Sequence, residues 1–427
     1  MSVVPTAAEV SEVTKKATGK ILMLLENSYP QDTRVRNEAT LLLSAGYDVS
    51  VVSLKDRGQT SFEIVDGVRV YRIPQLEFFK KTTGKTPGFF GLLWLKAKSL
   101  LGYTLEYAYF SSACLLVSLK VFMMDGFDVI HAHNPPDTLF LVALPFKLFG
   151  KKFVFDHHDL SPELYMSRYG AKPGMLTCML GLAEWCSLKL ADVSIATNES
   201  YKSVQMHRAG KDPGTIFIVR NGPNQMRMTP PPPSPKLRGM NRRILCYIGS
   251  LNPQDGVDYL LRSLSILLHD FKRTDFYCVI MGSGDSLEDL RALARELRLD
   301  GYVELTGFVS EEELQANLSA ADICMDPDPA SPLNNVSTWI KIMEYMAYAK
   351  PVVSFDLKET MISAGDAALF VPANDELAFA KAVIELMDDP SLRKKMGEIG
   401  RRRVEEKLQW SIVGQNLLVA YRAVLGA

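Results

Sequence analysis

Short runs of β-branched and aromatic residues alternate with longer amphipathic stretches along almost the whole chain, and a four-proline segment interrupts the alternation once. Alternation of this kind is the signature of βαβ units wound about a parallel sheet. In the first half the strand candidates are Ile21–Glu26, Val49–Leu54, Val68–Ile73, Asp128–His133, Lys152–His158, Val193–Asn198 and Ile216–Asn221. Residues Met228–Gly239 (MTPPPPSPKLRG) follow, and consecutive prolines join neither a helix nor a sheet ladder, so an extended linker is expected. The pattern then restarts with Ile244–Gly249, Phe276–Gly282, Val303–Phe308, Ile323–Asp326, Pro351–Phe355 and Ala368–Val371. The expected organisation is a tail over 1–19, an α/β domain over 20–227, a linker over 228–240 and a second α/β domain over 241–405. A last helix over 406–427 should cross back to the first domain. Two such sheets leave a cleft at their strand C-termini, where open α/β sheets bind ligands.

Composition narrows the class. A formal net charge of -1 gives no electrostatic reason to bind nucleic acid. The six cysteines form no CxxC pair and sit in apolar runs such as FYCVIM, so no disulfide framework or zinc site is expected and a reducing cytoplasm fits. The first twenty residues show no apolar core of a secretory signal. From Phe89 to Met124 the chain is strongly apolar. A pair of core helices is the preferred reading. The alternative is peripheral membrane contact through Phe78–Lys98, where aromatic residues are bordered by lysines.

Several segments carry chemistry. The loop MGSGD (Met281–Asp285) follows a strand and precedes a helix, so backbone N–H groups near Gly282 and Gly284 could approach an anion; a plain tight turn fits equally well. In DPDPASPLNNVSTWIKIMEYMAYAKPVVSF (Asp326–Phe355) a helix is expected to open near Val336–Ser337, with Lys341 and Glu344 on one face. A carboxylate there can accept two ribose hydroxyls, and a helix N-terminus beside an ammonium attracts a diphosphate; a surface ion pair is the plain alternative. His133 closes the strand DVIHAH and should face the cleft. The segment FDHHDLSPE (Phe155–Glu163) admits a metal site, but adjacent strand residues point to opposite faces, and acceptor recognition by Asp159 and Glu163 is preferred. Arg34 either opens a solvated helix capped by Asp32 or forms an anion site.

These pieces together, with DTRVRNEATLLLSAGYDVSVVS, GVRVYRIP, DVIHAHNPPD, FDHHDLSPE, VRNG, YIGSLNPQDGVDYLL, MGSGD, VELTGFVSEEEL, KIMEYMAYAKPVVSFD and LQWS in this order, resemble a family 4 glycosyltransferase from about Lys20 onward. The resemblance implies the GT-B fold, two facing Rossmann-like domains with a deep cleft. It also implies retaining transfer from a nucleoside diphosphate sugar, a UDP-sugar being favoured, to a glycan or lipid-linked acceptor. No metal and no resident cofactor are implied, the nucleotide sugar being a co-substrate. By this likeness His133, Lys341 and Glu344 are catalytic, with Glu344 as the second glutamate of E-x7-E. Gly249, Ser250, Arg220, Gly282, Gly284, Phe308, Val309, Asn335, Val336 and Ser337 bind donor, and Arg34, Asp159 and Glu163 bind acceptor. Three positions depart from the family. Val336 stands where the first glutamate belongs, and Ser250 and Asp255 replace the usual arginine and lysine that offset the leaving diphosphate. Arg220, Lys341 and backbone amides at 249–250 and 335–337 are the expected substitutes. A non-catalytic nucleotide-sugar-binding subunit and a metal-dependent hydrolase or epimerase remain as rival readings, and cytoplasmic placement, at the inner face of the plasma membrane, is expected.

Overall fold

The computed structural model describes residues 19–76, 89–223 and 228–426, with side chains omitted for 89–101 and 103. Residues 1–18 of the tail expected over 1–19, the 224–227 boundary and about half of the Phe78–Lys98 stretch therefore lie outside the described residues.

The first half forms an eight-stranded sheet in the order β3-β4-β2-β1-β5-β6-β7-β8. Its strands are β1 (Lys20–Ser28), β2 (Asp48–Lys55), β3 (Phe62–Val65), β4 (Val68–Pro74), β5 (Val129–His133), β6 (Lys152–His157), β7 (Val193–Ala196) and β8 (Ile216–Ile218). All pairs are parallel except the β3–β4 edge hairpin, a strand the sequence reading missed because it is short and half exposed. The second half forms a six-stranded parallel sheet, β11-β10-β9-β12-β13-β14. It comprises β9 (Arg243–Ile248), β10 (Phe276–Met281), β11 (Val303–Gly307), β12 (Ile323–Asp326), β13 (Val352–Phe355) and β14 (Ala368–Val371).

Parallel strands covered on both faces are apolar at every position, and their period of two sorts side chains into two cores. Ile21, Met23 and Leu25 of β1 join one cluster, and Leu22 and Leu24 join the other. In β9, Leu245 and Tyr247 separate likewise from Ile244, Cys246 and Ile248. The C-terminal helix Gln415–Leu425 lies on the first sheet, where Leu417, Leu418, Tyr421 and Val424 fill the cluster of β1. In both sheets the order reverses beside the first strand, at β1/β5 and at β9/β12. Loops diverge at such switch points and open a crevice.

Three expectations need correction. The Pro-rich segment is not wholly extended: Pro235–Arg238 makes a helical turn, helped by proline at its first position, and Met228 and Leu237 enter the second core. The apolar stretch 89–124 is one helix of 36 residues rather than two, since no proline interrupts it. Its Phe110, Cys114 and Val121 face the sheet core, while Leu116 and Met123 are exposed. The helix expected to open near Val336–Ser337 begins instead at Ile340 and ends at Ala347.

Candidate active site

The loops after β1, β6, β7 and β8 meet the segment after β12 around a cavity of about 250 Å³. Its walls come from both halves, with Asp32, Thr33, Arg34, His158, Asp159, Thr197, Tyr201 and Asn221 on one side and Ser337, Thr338, Trp339 and Ile340 on the other.

Beneath the first wall lies a buried charge network. Asp32 caps the helix Thr33–Ser44 by accepting from the Val35 amide, which leaves Arg34 pointing inward. The Arg34 guanidinium donates to both oxygens of Asp156, at 2.7 and 2.8 Å, and to the Asn221 side chain at 2.7 Å. It also lies 3.2 Å from Glu38. Burial pushes the Asp156 carboxyl up, but Arg34, His158 and the His133 hydrogen bond outweigh it and hold Asp156 well below the usual carboxylate range. Burial also raises the Glu38 carboxyl, against the pull of Arg34. Arg34 thus stands on the cavity wall with its charge shared by Asp156, so an anion or acceptor meeting it there would share the guanidinium with that carboxylate.

His133 is fully buried, with Nδ1 2.9 Å from Asp156 Oδ2 and no place on the cavity wall. Burial lowers its pKa despite the Asp156 bond, so it is a neutral imidazole. The expectation that His133 faces the cleft is therefore corrected. The imidazole at the wall is His158, whose Nδ1 lies 3.2 Å from the same Asp156 oxygen. Burial disfavours its charge, yet Asp156 prevails and raises its pKa to about 8. Asn134 places this residue: its Oδ1 accepts from the amides of His158 and Asp159, and its Nδ2 donates to Asp137 and to the Asp159 carbonyl. One side chain thereby ties the loop after β5 to the loop after β6.

Asp159 is on the cavity wall, its carboxyl raised by burial. Glu163 is not: it pairs with Arg208, which also holds Glu184, so its expected acceptor role is corrected. His157 turns to the opposite face from His158, stacking on Phe155 and approaching Glu184. Ligand atoms of Glu38, His131, His133 and Asp156 lie within 4.8 Å of one another, a spacing suited to a metal. Arg34 supplies positive charge to both carboxylates of this group, and the Tyr421 hydroxyl lies 3.0 Å from His131 Nδ1.

On the second half, Lys341 and Glu344 lie one turn apart on the helix Ile340–Ala347, and both are buried. The Lys341 ammonium is 2.7 Å from Asp328 and 3.0 Å from Asp326. Burial opposes its charge, but these two carboxylates hold its pKa well above the ordinary lysine value. A free diphosphate-binding ammonium is therefore corrected to a buried counter-ion of the DPD segment. Neither Lys341 nor Glu344 lines the cavity among the described residues. What reaches it is the N-terminus of their helix, whose cap residue Trp339 makes no side-chain capping bond. Its first N–H groups have no partner within the helix.

The other expected anion ligands fare differently. The amides of Asn335, Val336 and Ser337 close turns onto Ser331, Leu333 and Asn334, and the Gly249 amide donates to Met281. These N–H groups are already used. Val336 packs with Leu333 against Leu160, Tyr201 and Ile216 of the first half, so the position of the missing glutamate is an interdomain contact. Asn198 Nδ2 donates across the same junction to the Val336 carbonyl and to Thr338 Oγ1, both at 2.8 Å. Arg220 also bridges the halves, donating to Ser363 at 2.9 Å and lying 3.9 Å from Glu359. It is a brace, not a spare cation. A Cβ on Gly282 would meet the Gly249 carbonyl oxygen at 1.7 Å, and one on Gly284 the Leu251 oxygen at 2.4 Å. The glycines of MGSGD thus let two loops touch. Gly249, Ser250, Gly284 and Phe308 are exposed at this rim, while Val309 is half-buried against the second core.

The sequence matches the family described as Glycosyltransferase Family 4 over residues 31–225 and that described as Glycosyl transferases group 1 over 242–389. An alpha-D-kanosaminyltransferase of Streptomyces kanamyceticus is 29% identical over 186 residues, 43% of this chain and 46% of that protein. A phosphatidyl-myo-inositol mannosyltransferase of Mycolicibacterium smegmatis is 29% identical over 316 residues, 72% of this chain and 75% of that one. The chain thus spans about half the length of the first relative and three quarters of the second. In fold it is similar to sucrose-phosphate synthase from Thermosynechococcus elongatus, with TM-score 0.70, 19% identity and coverage of 96% and 99%. It is likewise similar to Anabaena HepE in complex with UDP and glucose, with TM-score 0.69, 15% identity and coverage of 95% and 100%. With both halves matched in chain order and the double-sheet architecture shared, the chain belongs to the family 4 glycosyltransferases of GT-B fold.

Proposed function

We propose that the protein transfers a sugar, with retention, from a nucleoside diphosphate sugar to a glycan or lipid-linked acceptor in cell-surface polysaccharide synthesis. A single observation carries this reading: the cavity between the halves has a charged imidazole on one wall and an uncapped helix N-terminus on the other. Both stabilise negative charge, and they take the place of the missing arginine and lysine in offsetting the leaving diphosphate. The nucleoside lies at the exposed rim of β9, β10 and β11, with Glu344 on the ribose and a UDP-sugar as donor. Asp159 takes an acceptor hydroxyl. The leaving diphosphate removes the acceptor proton on the face from which it departs, which accounts for retention without a protein nucleophile. The nucleotide sugar is a co-substrate, and the chemistry needs neither resident cofactor nor metal. The work is done in the cytoplasm, at the inner face of the plasma membrane.

The test is calorimetric titration with UDP, GDP and ADP and their sugars, followed by donor hydrolysis. Binding of one base, weakened at least tenfold in His158→Gln and in Glu344→Ala, is expected. No binding of any nucleoside diphosphate or sugar derivative would overturn the reading. A binding-only subunit is the second reading, favoured by Val336, which seals the junction where the family carries a carboxylate. Donor turnover that disappears in His158→Gln excludes it.

A further inference from the structure

A second cavity, of about 450 Å³, lies wholly within the first half. Four helices wall it: Phe89–Met124, Phe140–Lys147, Ser161–Tyr169 and Met175–Leu190. Its lining surface is mainly apolar, with Leu115, Val142, Leu164, Met179 and Leu180 among the hydrocarbon, and Arg168 is the one charged residue on its wall among the described residues. Ser111 and Thr138, which also line it, satisfy one another at 2.9 Å. A cavity so lined holds apolar matter in preference to water.

Two further features say what that matter is. The cavity is lined by Pro135, next to Asn134, and by Ser161, which opens the helix that follows His158 and Asp159 at the reaction cleft. Two of its lining residues, Met179 and Leu141, are about half exposed, and on and beside the same helices Leu148 is 84% exposed, Met123 78%, Met175 74% and Leu116 69%. Thr104–Met124 is apolar enough for a membrane span by length and composition, yet only 28% of its apolar window is buried. Exposed Lys120, Lys172 and Lys189 lie among these residues, Lys189 over the ring of half-exposed Trp185. Exposed apolar side chains gathered on the helices around an open cavity mark an interaction site, and lysines with an aromatic ring among them match an anionic lipid headgroup layer.

We propose that this cavity holds the hydrocarbon tail of a lipid-linked acceptor while the surrounding face rests on an anionic membrane leaflet. The tail enters from the bilayer, and the path past Pro135 and Ser161 delivers the polar head to Asp159. The inference rests on the transferase reading above for the identity of the ligand as acceptor, but the cavity is tested without turnover.

The probes are dodecyl and octyl phosphate below their micellar concentrations, and vesicles of phosphatidylcholine with about one third phosphatidylglycerol. Dodecyl phosphate should bind about 250-fold more tightly than octyl phosphate, since each of the four extra methylenes, once buried, adds a factor of about four. Ser112→Phe and Ala108→Phe, both at exposed lining positions, fill the cavity and should weaken dodecyl phosphate at least tenfold, with melting temperature and UDP binding unchanged. Met175→Glu with Leu182→Glu should abolish vesicle sedimentation. Equal affinity for the two chain lengths in the native protein, or indifference to both filling variants, would overturn the tail site even if nucleotide binding is intact. Chain-length-dependent binding without any nucleotide binding would leave the cavity standing and remove the transferase reading.

Discussion

Replacing Lys341 with methionine keeps the stem of the side chain and removes the ammonium between Asp326 and Asp328. The three groups are almost fully buried, with side-chain exposures of 8%, 0% and 1%. Two carboxylates so placed cannot both stay charged without a counter-ion, so the folded variant must take up a proton. Protonating a carboxyl of ordinary pKa at pH 7 costs about 4 kcal/mol, and the cost falls by about 1.4 kcal/mol per pH unit. The penalty for Lys341→Met should therefore be about 4 kcal/mol at pH 7 and about 2 kcal/mol at pH 5.5. The sign follows from Asp328, whose carboxyl burial and Asp326 already push well above its ordinary value, against the pull of Lys341. A raised folded-state pKa means the native form binds the extra proton, so the stability it confers is present at low pH and lost as pH rises. Adding Asp328→Asn removes one charge and should recover more than half of the loss at pH 7. Urea unfolding followed by circular dichroism at the two pH values measures the native protein and both variants, with the second half's transition fitted separately. A penalty below about 1 kcal/mol at pH 7, or one that does not shrink at pH 5.5, would refute the pairing and return Lys341 to a free, ligand-facing role.

Three further outcomes are expected. The donor-transfer rate should fall on the alkaline side with an apparent pKa near 8, as His158 loses the proton that Asp156 secures, and pH-rate profiles of native and His158→Gln protein decide it. Asn134→Ala removes four hydrogen bonds that place His158 and Asp159; thermal unfolding should show a loss of about 2–3 kcal/mol, and kcat should fall more than KM rises. Gly282→Ala should destabilise the second half by more than about 2 kcal/mol, because its Cβ would enter the Gly249 carbonyl and its φ of 150° suits only glycine; urea midpoints test this.

The two-sheet architecture was readable in advance because parallel strands and amphipathic helices write their periods locally. Thirteen of the fourteen strands fell where β-branched runs stood, and β3 escaped because four residues at a half-exposed edge carry little pattern. The tight turn of MGSGD was readable as well, since glycines after strand ends mark close loop contact. The imidazole facing the cleft was not. His133 ends β5 and His158 follows β6, and only the depth of each below the cavity distinguishes them.

What the chain alone determined, then, was the order of elements, the division into halves and the family pattern, all of which depend on neighbours in sequence. The tertiary structure decided which charges are spent and which face the cleft. Arg34 finds Asp156 across 122 positions, Glu163 finds Arg208 across 45, and Val336 meets Tyr201 only when the halves come together. Ionic pairing depends on distance and on exclusion of water, and neither is written in local periodicity.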